Sequence, residues 1–437
     1  MFLGDPAHTA EGAGPTNLAL RWKFQADSNI VTQPILTNGI AYFGSVWGTM
    51  YAVDANSGNQ KWTYTIGFPV KSSVAVVNGK VYTGADDGNV YCLDAATGAK
   101  LWQTDVGGVK IYWEKGIGDS KRMMADVRAS PMVLGDRVYV GALDGNLYCL
   151  DANSGTVVWK YQTGGAITAA PAIADGAIYV SSNTPKPNGA LYKLDLSGKV
   201  IWNINIPYVL DPTPGSGQWL PAAPTVADGM VFLRNGMRLN YGINATTGAI
   251  IWTYDGKYNP GTSNQLGGVI QDNAMLYNYG RLYFNDFFGI TCRNATDGSE
   301  IWYAYLSREN LAQGLAYAYG RIYTVNEIGV VYVLNALTGE KLSYYEVGGA
   351  QMHSTPSLYN GNLYVGSCDW NLYCFGEARL MSGEPAPSAS ISSQQIMSNP
   401  TEATEAPFIT TEIAILTAVA VACIIGIVSY WAQRKRK

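Results

Sequence analysis

The chain has 437 residues, 47% of them hydrophobic and 12% aromatic, and a formal net charge of -4, which supplies a large core and gives no general attraction for nucleic acid. Two histidines, His8 and His353, exclude a histidine-rich metal centre, and six cysteines are too few for a disulfide scaffold at this length. Charged residues make up 14%, while Gly reaches 49 and Tyr 30, so many short strands joined by tight turns are expected.

Residues 1–17 form an N-terminal segment, FLGDPAHTAEGAGP after Met1, with neither the basic start nor the apolar stretch of an export signal. LRWKF, around Trp22, follows. From Tyr51 one phrase then recurs: YAVDANSGNQKW, YCLDAATGAKLW, YCLDANSGTVVW, YKLDLSGKVIW, YGINATTGAIIW, TCRNATDGSEIW and YVLNALTGEKLS. Each unit reads as four strands: an apolar first, a second of the VYxG type, a third of the LYxLD type and a fourth closing in Trp. A unit this small buries its apolar face only by stacking on copies of itself.

The second-strand aromatic recurs at Tyr42, Tyr82, Tyr139, Tyr179, Phe232, Tyr283, Tyr323 and Tyr364, which counts eight units. In the last turn of each unit, Asp54, Asp94, Asp151, Asp195, Asn244, Asn294 and Asn335 are placed to accept backbone N–H groups, and the Gly that follows supplies positive φ. These acids are turn caps. Asn244 and Asn294 also begin N-x-T sequons, candidate glycosylation sites that compete with capping. The closing residues Trp62, Trp102, Trp159, Trp202, Trp252 and Trp302 are expected to fill the wedge between diverging sheets, with Ser343 replacing the seventh. Cys92, Cys149, Cys292 and Cys374 share one slot and read as small packing residues; Cys368 and Cys374, the only close pair, fall off opposed register.

The eighth unit ends without its fourth strand. Trp22 and its neighbours supply it, so residues 20–24 are expected to close an all-β, eight-bladed propeller of four-stranded antiparallel blades spanning 18–376.

The D-x-x-T-G-x-x-x-W unit resembles the pyrroloquinoline quinone (PQQ)-like repeat of eight-bladed propellers. That superfamily includes quinoprotein alcohol dehydrogenases and the non-enzymatic BamB-type outer-membrane assembly scaffold. The opening FLGDPAHT is similar to the segment that precedes the first blade in non-enzymatic members. The resemblance covers nearly all of residues 2–376 and implies the fold more strongly than the function. A quinoprotein would stack PQQ over the central channel and hold Ca2+ with oxygen ligands, typically beside a vicinal cysteine pair. This chain has no Cys-Cys dipeptide and no C-x-x-C-H haem site, so no cofactor is expected outside that alternative.

The repeat is interrupted by DVGGVKIYWEKGIGDSKRMMADVR, NTPKPNG, NIPYVLDPTPGSGQWLP and DGKYNPGTSNQLGG, all expected on the face that carries the second-to-third strand hairpins and the loops between blades. Candidate binding residues there are Tyr112, Trp113, Arg122, Trp219 and Tyr258, with Trp47 and Trp370 as a local aromatic patch where blades one and eight meet. His353 is expected to begin the inner strand of blade eight at the channel mouth. Asp86, Asp87, Asp144 and Asp369 read as solvated turn acids.

Residues 377–407 are rich in Ser, Thr, Pro and Glu and read as a flexible stalk. A transmembrane helix region is expected over 408–433, around the uncharged run IAILTAVAVACIIGIVSYW, which would span roughly 28 Å. The basic tail 434–437 is then expected to stay cytoplasmic and the propeller to lie outside, anchored in membrane lipid, with the export signal upstream of this sequence; the alternative is a tail-anchored cytoplasmic protein. The expected function is recognition of a protein or glycan partner, or scaffolding, on the insertion-bearing face. The alternatives are a PQQ-dependent quinoprotein oxidoreductase and a structural cell-envelope component.

Overall fold

The computed structural model describes residues 14–107, 127, 129–183, 189–206, 222–235, 239–256, 274–286, 288–307, 311, 314–348 and 351–378. They form eight antiparallel sheets of four strands each. Blade one comprises Ile35–Thr37, Ile40–Gly44, Thr49–Asp54 and Gln60–Thr65, paired in that order, and blades two to seven repeat the arrangement. The second and third strands are almost wholly buried, whereas the fourth alternates exposed and covered positions, as an outer strand with one packed face should.

Blade eight is completed from the other end of the chain. Leu18–Gln25 pairs antiparallel with Asn371–Glu377, setting Trp22 opposite Cys374, so the closing strand is longer than the expected 20–24. The joint is reinforced where the chain ends meet: the Glu377 carboxylate accepts the Asn17 N–H at 3.0 Å, and the Ala378 N–H donates to the Asn17 carbonyl at 2.8 Å. Around the channel the segments leading into the first strands are linked by hydroxyls. The Gln33 N–H donates to Ser73 Oγ at 3.0 Å, the Ser73 N–H to Ser130 Oγ at 2.9 Å, and Gln33 Nε2 to Ser357 Oγ at 3.0 Å, the last across the closure.

One row of side chains explains most of the repeat. Tyr82 faces Cys92, which faces Trp102, and the same order runs Tyr139–Cys149–Trp159, Tyr283–Cys292–Trp302 and Tyr364–Cys374–Trp22. Cys, Ala52 or Gly242 fills that slot between the two rings in six blades, and a β-carbon on Gly242 would lie 2.1 Å from Trp252 Nε1; blade four has Lys193 there instead, its ammonium 5.3 Å from the Tyr179 ring centroid. The cysteines described are all free.

Each Trp then docks on the next blade. Tyr42 Oη and Trp62 Nε1 both donate to the Ala95 carbonyl, at 3.1 and 2.9 Å, and the turn glycine Gly98 lies flat on the Trp62 ring. Trp102, Trp159, Trp202, Trp252 and Trp302 donate in the same way to Ala152, Leu196, Ala245, Ala295 and Ala336. The Trp is therefore an interblade clasp as well as the wedge filler read from the sequence.

Ser343 has a structural reason. Blade eight takes its fourth strand from elsewhere, so it has no last-turn glycine or carbonyl on which a blade-seven Trp could dock. Residues Gly14–Thr16 lie there instead: Tyr323 Oη donates to the Pro15 carbonyl at 3.0 Å, and the Ser343 hydroxyl donates to the Thr16 carbonyl.

Residues 379–437 form a second unit that lies outside the described residues, and with it the expected stalk beyond Ala378, the apolar segment and the basic tail. Among the described residues no helix is long and apolar enough to cross a membrane.

Candidate functional site

The second-to-third strand hairpins and the loops between blades share one face. The Ile66 N–H, entering the loop toward blade two, donates to the Gly48 carbonyl at 2.8 Å, and the Val70 N–H donates to the Ser45 carbonyl at 3.1 Å.

The hairpins of blades two and three share one sequence, Asp-Gly-Asn-x-Tyr. In blade three, Asp144 accepts the Asn146 N–H at 2.9 Å, Asn146 Nδ2 at 2.6 Å and Tyr148 Oη at 2.6 Å. In blade two, Asp87 accepts the equivalent groups of Asn89 and Tyr91. Gly88 and Gly145 take positive φ, 81° and 84°. Burial, with the neighbouring Asp second, raises the Tyr91 and Tyr148 phenol pKa above the ordinary value, so each remains a neutral donor. The reading of Asp86, Asp87 and Asp369 as solvated is corrected: Asp87 and Asp369 are part-buried acceptors that lock their hairpins, and Asp86 pairs with Lys71, whereas Asp144 is exposed and locks its hairpin all the same.

Blades one and eight differ from it by a tryptophan, each at a different position. In blade one, Trp47 stands where the clamping Asp should be. The missing acceptor comes from the preceding loop: Asp27 Oδ2 accepts Thr49 Oγ1 at 2.6 Å, and the Asp27 N–H donates to Tyr51 Oη at 2.9 Å. In blade eight the Asp is kept as Asp369, but Trp370 takes the glycine position with φ 74°. A bulky residue in the left-handed region costs about 1–2 kcal/mol.

The two tryptophans meet. Their ring centroids are 5.8 Å apart, with planes tilted by 47°. Trp47 is 63% exposed and Trp370 40%, and neither takes part in the interblade clasp. Phe68, 41% exposed, lies in the neighbouring loop, its backbone against Gly48. The expected aromatic patch is thus present in the geometry.

His353 lies in the loop that leads to the innermost strand Ser357–Tyr359, not within that strand, because backbone pairing in blade eight begins only at Ser357. It is half-buried; burial lowers its imidazole pKa, and Glu327 opposes that shift. Tyr112, Trp113, Arg122, Trp219 and Tyr258 lie outside the described residues. Asn244 is a working cap, its Oδ1 accepting the Thr246 and Thr247 N–H groups at 2.9 Å each, and Asn294 Oδ1 accepts the Thr296 N–H at 2.8 Å.

Sequence reasoning missed a buried polar group in blades five and six. The Arg293 guanidinium lies 3.2 Å from the centroid of the Tyr254 ring and pairs with Glu300 at 3.0 Å, while Tyr254 Oη donates to Asp286 at 3.1 Å. Burial pushes the Arg234 pKa down, and Asp286 pushes it back up. Arg234 and Asn285 replace the glycine that blades one, two, three and eight carry at the end of the second strand; that substitution was the available signal.

Among the described residues no group of three or more His, Cys, Asp or Glu side chains is arranged to hold a metal ion. The donor chemistry agrees. The hairpin acids that a calcium ion would need on this face are engaged by Tyr, Asn, Thr and Lys donors, so the described residues do not fit a Ca2+ cradle beside PQQ.

A family model described as outer membrane protein assembly factor BamB matches residues 16–108, 86–207 and 185–375. Among curated proteins, tetrathionate hydrolase of Acidithiobacillus ferrooxidans is 26% identical over 36% of this chain and 34% of its own length. Quinohemoprotein alcohol dehydrogenase ADH IIB of Pseudomonas putida is 33% identical over 40% and 20%, and BamB of Yersinia pestis 24% identical over 55% and 58%. The chain therefore spans about a fifth to three fifths of these relatives. The crystal structure of BamB from Moraxella catarrhalis superposes with a TM-score of 0.62 at 18% identity, covering 83% of this chain and 99% of the other, a likeness of fold.

Proposed function

We propose, since the chain belongs to the family described as outer membrane protein assembly factor BamB, that it is a membrane-anchored, extracytoplasmic propeller that recognises protein partners on its hairpin-bearing face. The observation that carries this reading is where the repeat's chemical groups are used. Its turn acids cap turns, its Tyr and Trp donors clasp the next blade, and its hairpin acids lock hairpins. Among the described residues of that face, Trp47, Trp370 and Phe68 are exposed aromatic side chains. Exposed aromatic residues on a rigid ring suit recognition of another macromolecule.

Anchoring in membrane lipid is assigned to the apolar run 413–431, with the basic tail cytoplasmic. No resident cofactor is assigned. Similarity to a quinohemoprotein alcohol dehydrogenase keeps one competing reading, a divergent quinoprotein oxidoreductase.

Titration of the full chain in nanodiscs with PQQ and Ca2+ separates the two. The expected result is an unchanged melting temperature and no dye reduction with alcohol substrates. A saturable spectral shift with dye reduction overturns the scaffold reading.

A further inference from the structure

We infer that Trp47 and Trp370 form a docking site for a cationic side chain, arginine above all, presented by a protein partner. This deepens the scaffold reading and rests on it. Blades one and eight each carry a tryptophan where blades two and three have Asp or Gly, and the ring closure brings the two to 5.8 Å. Neither departure serves the fold. One removes a clamping acid that Asp27 must replace, and the other holds a bulky residue at φ 74° where Gly88 and Gly145 sit unstrained. Backbone strain kept at an exposed aromatic residue is the pattern of a binding position.

The chemistry of the surroundings selects the occupant. Segments 26–31, 45–49, 66–70 and 367–371 carry two carboxylates, Asp27 and Asp369, and no Lys or Arg. The Trp370 carbonyl accepts the Ala26 N–H at 2.7 Å, which fixes the Asp27 loop beside the blade-eight hairpin. Indole faces attract cations through their quadrupole, and nearby carboxylates add to that attraction. The indoles are tilted by 47°, so they do not stack on one another and hide their faces. A planar guanidinium also stacks on aromatic faces, which favours Arg over Lys. Phe68 offers apolar ground for the aliphatic stem.

The test uses the full chain in nanodiscs and three probes: a Gly-Gly-Arg-Gly-Gly amide peptide, the same peptide with Gln for Arg, and a neutral hexasaccharide, each titrated by tryptophan fluorescence. Saturable binding of the Arg peptide is expected, weakened about tenfold by Trp47→Ala or by Trp370→Gly and about tenfold weaker for the Gln peptide. Trp370→Gly should melt no lower than the parent chain, because Gly suits that φ, so lost binding cannot be put down to unfolding. Equal binding of the Gln peptide, Trp-dependent binding of the hexasaccharide alone, or unaltered binding in both variants overturns the inference. The scaffold reading fails separately, through the PQQ and Ca2+ titration.

Discussion

Gly155 lies against the face of the Trp102 indole so closely that a β-carbon there would meet ring atoms at 2.6 Å, and its φ is 75°. Gly98 and Gly339 repeat the contact with Trp62 and Trp302. Gly155→Ala should therefore destabilise the ring by about 2–4 kcal/mol, from left-handed strain plus displacement of the Trp. Denaturant unfolding checks this; a loss no larger than that for Gly79→Ala, where positive φ is not accompanied by crowding, would remove the clasp as the cause.

Ser343→Trp restores the repeat as written in the sequence, yet it should lower the melting temperature. The space is held by Pro15 and Thr16, whose carbonyls accept Tyr323 Oη and the Ser343 hydroxyl. Removing residues 1–16 should lessen the penalty of the Trp, a coupling that a double-mutant comparison of melting temperatures reads directly.

Asp54 carries an acid-sensitive cap. Its hydrogen bond with Lys61, followed by the Ser57 N–H, lowers the carboxyl pKa from 3.8 to about 2. A folded pKa below the unfolded one gives stability that is present above the unfolded value and lost as pH falls toward the folded one, here between about 4 and about 2. Asn244 caps the same turn of blade five with a neutral amide. Asp54→Asn should thus fold normally at neutral pH and show a shallower fall in melting temperature over that acid window.

Burial pushes the Cys149 and Cys292 thiols up to about 11 and the Cys92 and Cys374 thiols to about 12. In mildly alkaline buffer these four should resist iodoacetamide while the ring is folded and react at once in guanidinium. Mass-spectrometric peptide labelling gives the rates. Fast labelling of Cys149 in the native chain would contradict its place between Tyr139 and Trp159.

The blade was legible because its signals are local. Alternation, an Asp or Asn three or four residues before a Gly, and the closing Trp all act within a dozen residues, so the count of eight and the role of Trp22 followed from pattern alone. The hydrogen-bond partners were less so. Asp87 and Asp369 looked like solvated turn acids because the phenols that engage them, Tyr91 and Tyr373, are the same aromatics that read as core. Arg234 and Asn285 escaped notice because a polar residue replacing Gly gives no sign of a partner on the neighbouring blade.

By itself the sequence determined the unit, its number, and the exchange of a strand between the chain ends. Tertiary structure decided why Ser343 is not Trp, how Asp27 stands in for the acid that Trp47 displaces, and that the indoles of Trp47 and Trp370 come to a 47° tilt at 5.8 Å. Turn chemistry and alternation are written in neighbouring residues, whereas these contacts join positions from about twenty to more than three hundred residues apart. Only closure of the ring brings them within reach.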